Sequence, residues 1–568
     1  MAIHASNSNL GLNSGIKLAA RSNLPKALDA FVRELVSSTM LISNVTTRST
    51  SKLNKINVLH VVSSIENLVN VLECEGSFIS SAEVWIQILQ AMSSLNRFLV
   101  LTSASGVSRY KRWDEIPEKN RERFVKDLKR ASIPVNGKSA FEISMRIDKS
   151  RTRNSMERIF STKSVCYSPT ILEAFLSALL KVSHFELSNR MTCALWTLQK
   201  AVNVADANLS RLSRLEWRRI WPILSKHLST TSCDNREDVS MCAVNALKQM
   251  ALRFLNKEEL RGFRFQSAVL QPFSFAMRKS KLKSTREMII AVQRNLIETR
   301  GKKLRSGWRS LLATLAFAAS DSDKRIADLG FDVLSLVTTI ESNKYCSKGG
   351  ELSTHHFDAL MQCIAAFARS NTDRASDRAL NLLPRFGNLV ESESDMLEWS
   401  SVLSDLILEK NVETRMMSSQ ALFSSLHTKN WNKKMLTVAM SQSIFPTLRR
   451  GLRIQNSDWF STNGISALNK ITFLFVEKPD KTKHMISDFV DLLLLHAHES
   501  KNDVFFEVFV DVLRRLLLSS ADDDIEWFRK RLTKFLRLGD KKVTSFVCDY
   551  MDANLDVVVV STRSSKET

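Results

Sequence analysis

Glycine and proline are scarce in this chain, at 15 and 9 residues among 568. All-β folds consume such residues in their many tight turns, so the composition points to helix. Cysteine is equally thin. The eight cysteines (Cys74, Cys166, Cys193, Cys233, Cys242, Cys346, Cys363 and Cys548) are dispersed, with no C-x-x-C pair and no histidine at ligand spacing beside them. That excludes a disulfide framework and reads as reduced thiols of the cytosol. The longest unbroken apolar run, near Cys363 to Ala368, falls far short of the ~20 residues that span a bilayer, so no transmembrane helix is expected. The first acidic residue is Asp29, and the Ser/Asn-rich start carries only Lys17, Arg21 and Lys26 as cations. It lacks the Arg-rich amphipathic face of a transit peptide.

Catalytic signatures are missing too. His355-His356 and His496-Ala497-His498 are the only clustered histidines, and neither has a Glu or Cys at metal-ligand spacing. Gly301-Lys302-Lys303 lacks the preceding glycine and terminal Ser/Thr of a phosphate-binding loop. No cofactor and no metal is expected.

What the chain does have is period. Apolar residues make up 44% of it, ample for a core, and the length fits two to four ordinary domains or one repeat array. A short polar turn followed by an apolar helix recurs near Glu237, Thr285, Asp323, Asp373, Glu413, Asp458 and Asp503, at intervals of 48, 38, 50, 40, 45 and 45. Intervals of ~40 to 47 are those of HEAT and armadillo repeats. Ser284-Thr285-Arg286-Glu287 fits a capping box, which predicts a helix start there. From Val239, the residues Cys242, Ala243, Ala246, Leu247, Met250 and Phe254 recur on one helical face, and Ile326, Leu329, Gly330, Val333, Leu334 and Val337 repeat the pattern. A lone helix pair cannot bury such stripes. The predicted fold is therefore all-α, a HEAT/armadillo-like helical-repeat solenoid.

Breaks in the pattern divide the chain. Residues 1–50 form an N-terminal segment that periodicity does not define, and 51–100 carry helical repeats. Residues 101–165 mix charges with Ser around Pro134-Val135-Asn136-Gly137 and read as a partly disordered insertion; Phe141, Ile143, Met145 and Ile147 alternate there at strand period. Residues 166–340 form a HEAT-like array, 341–354 (with Gly349-Gly350) a linker, 355–555 a second array and 556–568 a polar tail.

Charge is uneven. Lys and Arg number 81 against 59 Asp and Glu, an excess of 22. Arg278, Lys279, Lys281, Lys283, Arg286, Arg294, Arg300, Lys302, Lys303, Arg305 and Arg309 meet only Glu287 and Glu298 in the same stretch. Such clustered cations attract a polyanion, whether membrane surface, acidic protein face or nucleic acid; a plain solvated face is the competing reading. Within it, Arg278, Lys279, Lys281, Lys283, Arg300, Lys302, Lys303 and Arg305 are the candidate contacts.

One ordered aromatic pattern is specific. Leu215-Glu216-Trp217-Arg218-Arg219-Ile220-Trp221, then Leu260-Arg261-Gly262-Phe263-Arg264-Phe265-Gln266-Ser267-Ala268-Val269-Leu270-Gln271-Pro272-Phe273, then Arg305-Ser306-Gly307-Trp308 and Ala319-Ser320-Asp321 resemble the large Arf guanine-nucleotide exchange factors of the brefeldin-A-inhibited (BIG) and Mon-two type. The resemblance is to the helical (HDS) regions that follow the exchange domain. Weaker similarity extends from about Asn54, past Trp85, to Trp399, Val412-Glu413-Thr414-Arg415, Trp431 and about Leu536. Trp217, Trp221, Phe263, Phe265, Pro272, Phe273 and Trp308 read as packing residues rather than a ligand cage.

The resemblance implies a non-catalytic regulatory and membrane-recruitment region of Golgi or endosomal vesicle traffic, cytoplasmic and peripheral. Its implied partners are an Arf-family GTPase, an anionic membrane surface and other helical scaffold regions of an exchange factor. No stretch resembles the exchange domain, so the chain is not expected to exchange nucleotide. A generic HEAT scaffold or transport receptor, or a basic nucleic-acid-binding solenoid, is the alternative.

Overall fold

The computed structural model describes residues 2–39, 58–131, 133, 135–188, 195–257, 265–338, 355–429, 431–453, 463–499 and 503–518. Among these the chain is helical with no strand. It divides into two compact units, Met1–Leu311 and Leu312–Thr568, each built of stacked antiparallel helix pairs of the HEAT/armadillo kind. Phe263, the 341–354 linker, the turn at Asp458 and the 556–568 tail lie outside the described residues.

The first unit opens with α1 (Ala2–Arg21), α2 (Pro25–Ser38), α3 (Val58–Glu75) and α4 (Ala82–Ala104). Helix α4 is long and apolar enough to cross a membrane by length and composition, which the run-length reading of the sequence did not register. Trp85, Ile88, Leu89, Met92 and Phe98 are buried, however, and α4 packs on α8 (Pro169–Ser188), so it is a core helix.

Residues 101–165 differ from the insertion read in the sequence. They hold α5 (Glu118–Arg130), α6 (Gly137–Arg146) and α7 (Lys149–Arg158). The run from Phe141 to Ile147, alternating at strand period, lies mostly in α6. Each helix offers only a few apolar residues, but Phe124, Leu128, Phe141 and Ile143 are buried, and Trp113 joins two helices through Phe124 at 6.3 Å and Phe141 at 6.0 Å. Asn136 and Asp148 cap α6 and α7 by accepting from the amides of Ser139 and Arg151.

The repeats then run in register. In the first unit they are α8 with α9 (Trp196–Ala207), α10 (Arg214–Thr231) with α11 (Glu237–Phe254), and α12 (Phe265–Lys279) with α13 (Lys283–Arg300). Helix α14 (Gly307–Ala319) contains the unit boundary. The second unit continues with α15 (Lys324–Thr338), then α16 (Phe357–Ala368) with α17 (Asp373–Gly387), and α18 (Glu393–Leu406) with α19 (Val412–Thr428). It ends with α20 (Lys433–Val438), which passes through a π-turn into α21 (Phe445–Arg453), α22 (Ile465–Glu477), α23 (Pro479–Glu499) and α24 (Asp503–Leu518). All six described polar turns of the sequence pattern sit at the start of the second helix of a pair. The Ser284 capping box does not form. Helix α13 begins two residues earlier, after Leu282, and the hydroxyl of Thr285 turns inward to Ser240 at 2.7 Å.

Hydrogen bonds between equivalent helices measure the repeat. Ser240 to Thr285, Ser267 to Ser310, Ser400 to Ser443 and Trp221 to the carbonyl of Ala268 are separated by 45, 43, 43 and 47 residues. A lysine just past the second helix of a pair reaches back one repeat to cap free carbonyls. Lys257 Nζ donates to the carbonyls of Leu209 and Leu212 at 3.0 and 2.6 Å, and Lys429 Nζ to those of Gly387 and Val390 at 3.0 and 3.4 Å. Lys478 Nζ donates to those of Leu426, His427 and Lys429 at 3.1, 2.7 and 3.2 Å.

One carboxylate is enclosed in the first unit. Glu186 accepts from the hydroxyls of Ser93 and Thr197. Burial pushes its carboxyl above the usual range, against the pull of those hydrogen bonds and of Arg97.

Two outcomes follow. Lys478→Met orphans three carbonyls, so it lowers stability by about 1–3 kcal/mol; an unchanged urea midpoint would contradict the capping role. For Glu186, a raised folded pKa means that its contribution is most favourable below the ordinary value of 4.5 and declines as pH rises through the folded value. The stability of wild type relative to Glu186→Gln therefore falls with rising pH. A flat difference across that range contradicts the assignment.

Candidate functional site

The described signature aromatics pack in the core. Trp217, Trp221, Pro272, Phe273 and Trp308 are buried, and Phe265 is half-buried. Phe254 is their hub, meeting Trp217 at 4.8 Å, Trp221 at 5.1 Å and Phe265 at 5.3 Å, all edge to face. The indole N–H of Trp217 donates to the carbonyl of Leu209 at 3.4 Å.

The eight candidate cations do not form one patch. Arg278, Lys279, Lys281 and Lys283 lie at the α12–α13 turn, and Arg300, Lys302, Lys303 and Arg305 at the α13–α14 turn. The 18 residues of α13 separate the two groups by about 27 Å. Sequence adjacency merged them because the sixteen residues between Lys283 and Arg300 look short until they are wound into a rod.

The two edges differ in their company. Lys279 lies near Cys233 of the α10–α11 turn, where Asp234 pairs with Arg236 at 2.8 Å and Glu237 and Asp238 are exposed. Carboxylates thus dilute that edge. On the opposite edge Lys302 and Lys303 are exposed, with Arg300 and Arg305 partly so. Lys303 Nζ reaches Asn256 Oδ1 of the preceding repeat at 3.3 Å, beside Lys257, whose head group in turn reaches the α9–α10 turn. There Arg211 is exposed and held by Asn208 Oδ1 at 2.9 Å. Among the described residues, Lys303, Lys257 and Arg211 therefore stand at three turns of this edge. The carboxylate of Glu216 on this edge accepts from the amide and hydroxyl of Ser213 at 2.7 and 2.8 Å. Those two bonds, followed by the fields of Arg211 and Lys257, hold it below its usual range.

One buried side chain builds the basic turn. Gln266, in α12, donates through Nε2 to the carbonyl of Lys303 at 2.9 Å, and its Oε1 accepts from the amides of Arg305 at 2.8 Å and Gly307 at 3.4 Å. A Cβ on Gly307 would lie 3.0 Å from Leu304 Cδ2 and 3.1 Å from Leu270 Cδ1, so the close approach of α12 and α14 at this point favours glycine. Sequence reading named Phe265 and passed over Gln266; a buried amide beside a turn shows only once its partners are in place.

These features define a helical-repeat scaffold with a basic turn edge and, among the described residues, no cluster suited to hold a metal. Residues 253–336 match the Mon2/Sec7/BIG1-like HDS family model. It is 26% identical over 370 residues to brefeldin A-inhibited guanine nucleotide-exchange protein 1 of Homo sapiens, covering 63% of this chain and 19% of that protein. Similarity to the ADP-ribosylation factor guanine nucleotide-exchange factor SEC7 of Saccharomyces cerevisiae is 24% over 615 residues, 95% of this chain and 29% of that protein. The chain thus spans about a fifth to three tenths of the length of these relatives. Among solved structures, yeast importin-beta (Kap95p) aligns at 10% identity and a TM-score of 0.22, over 92% of this chain and 70% of that one.

Replacing Trp308 by Ala empties a fully buried site and costs roughly 3–5 kcal/mol. Gln266→Ala leaves the polar groups of the turn without their partner and costs about 1–3 kcal/mol, with faster amide exchange at Arg305 and Gly307. Unchanged exchange at those two amides would remove Gln266 from its role.

Proposed function

We propose that this chain is a non-catalytic regulatory and membrane-recruitment region of the kind found in large Arf guanine-nucleotide exchange factors, acting at Golgi or endosomal membranes with an Arf-family GTPase as partner. The observation that carries the reading is the HDS match at residues 253–336, because the basic turn Arg300–Arg305 falls inside it. Nucleotide exchange itself is assigned to the exchange domain of such factors, not to this helical region.

In this reading Arg300, Lys302, Lys303 and Arg305, with Arg211 on the same edge, approach an anionic leaflet together, each cation near the surface contributing ~1 kcal/mol. Arg278, Lys279, Lys281 and Lys283 face away from that leaflet and serve a separate contact or solvation.

Replacing Arg300, Lys302, Lys303 and Arg305 together by Gln weakens binding to phosphatidylserine or phosphoinositide liposomes by up to about two to three orders of magnitude, and less at high salt, where screening shortens the reach of each charge. Neutralising the 278–283 group has a smaller effect. The purified chain does not accelerate GDP release from Arf, with or without liposomes. Liposome and activated-Arf binding both unchanged in the quadruple variant would return the edge to a solvated face, and acceleration of release above the spontaneous rate would overturn the non-catalytic assignment.

A further inference from the structure

A second surface lies on the first-helix face of the repeats, away from the basic edge. Helices α8 and α10 diverge there around a cavity of about 900 Å³. Leu180 forms part of its apolar wall, and Phe185 and Ile223 stand at its lip, 66% and 38% exposed. Lys181, His184 and Lys226 line the same opening and are exposed. None of its lining residues is a carboxylate. The nearby Glu173 is paired with Arg219 at 2.8 Å, and Glu186 is buried.

The floor is neutral. His227 shares a hydrogen bond with Ser183 at 3.1 Å, and burial pushes its imidazole down to about 4. It therefore carries no charge at neutral pH, and the positive character of the groove comes from its rim. Large exposed apolar side chains in a concave site, flanked by cations on both walls, match the groove that receives an amphipathic helix. The rim sets the sign of the partner's flanks.

We propose that the groove between α8 and α10 docks an amphipathic helix of a partner protein, its apolar ridge seated between Phe185 and Ile223 and its carboxylates facing Lys181 and Lys226. The stretch from Ser177 to Ser188 on α8 accommodates about three turns of such a helix.

The test uses the full chain and a fluorescent synthetic peptide of about 18 residues, with Leu and Phe on one helical face and Glu on both flanks. Its controls are the same peptide with Lys for Glu and a scrambled sequence. Anisotropy should show the acidic peptide binding at least roughly tenfold more tightly than the basic one. Phe185→Ala with Ile223→Ala should weaken it by roughly tenfold or more, and Lys181→Glu with Lys226→Glu should reverse the preference between acidic and basic peptides. All four positions are at the surface, so circular dichroism and thermal midpoint should stay at wild-type values. The Arg300, Lys302, Lys303 and Arg305 quadruple variant should retain peptide binding, which separates this surface from the membrane edge. Absent binding, equal binding of acidic and basic peptides, or indifference to either double variant overturns the proposal. So does a dimer of the chain in sedimentation that Phe185→Ala with Ile223→Ala dissolves, since the occupant would then be a second copy.

Discussion

Every helix pair in this chain carries an apolar stripe that only the next pair can cover. In α11 that stripe is Val239, Ala243, Ala246, Leu247, Met250 and Phe254, all buried, and it packs on α9 on one side and α13 on the other. Burial at ~25 cal/mol per Å² of apolar surface drives the stacking without direction. The hydrogen bonds set its register: hydroxyl pairs such as Ser240 with Thr285 and Ser400 with Ser443 join equivalent helices one repeat apart. Where helices come closest, small residues are required. A Cβ on Gly330 would sit 2.9 Å from that of Ala318 and 3.2 Å from the Phe367 ring.

Stacking also dictates where charge goes. With both helix faces of a repeat committed to neighbours or to the outer surface, turns collect at the edges of each unit, and exposed cations collect with them. Several lysines are partly consumed as caps for carbonyls of the previous repeat, as Lys257 is in the first unit and Lys429 and Lys478 are in the second. Those that remain exposed, Lys302 and Lys303 foremost, stand on a turn that Gln266 holds in shape. The charge of the basic edge and the packing of the HDS signature are thus one construction: Gln266 follows Phe265, which packs on the same Phe254 ring that Trp217 and Trp221 meet.

Much of this was legible in the sequence because it repeats. The polar turns at Glu237, Asp323, Asp373, Glu413 and Asp503 mark helix starts, and Trp217, Trp221, Phe273 and Trp308 of the signature are buried, since both signals rest on local spacing. Residues 101–165 read as an insertion because short helices such as α5 bury only Phe124 and Leu128, too few to establish a period. The Ser284 box does not form because α13 already starts at Lys283, which puts Ser284 inside the first turn. The split of the basic stretch was invisible for a different reason: distance along a chain does not distinguish the two ends of a helix. The lysine caps and Gln266 depend on contacts about 40 to 50 residues apart, which no local pattern encodes.

The central claim, that cations of the α13–α14 turn and not those of the α12–α13 turn present the charged surface, is tested most directly by hydrogen exchange of the chain with and without phosphatidylserine vesicles. The account predicts added protection at residues 300–306 and at the turn two repeats back at 208–213, with none at 278–283. Protection centred on 278–283, or none at either turn while vesicles bind, would contradict it.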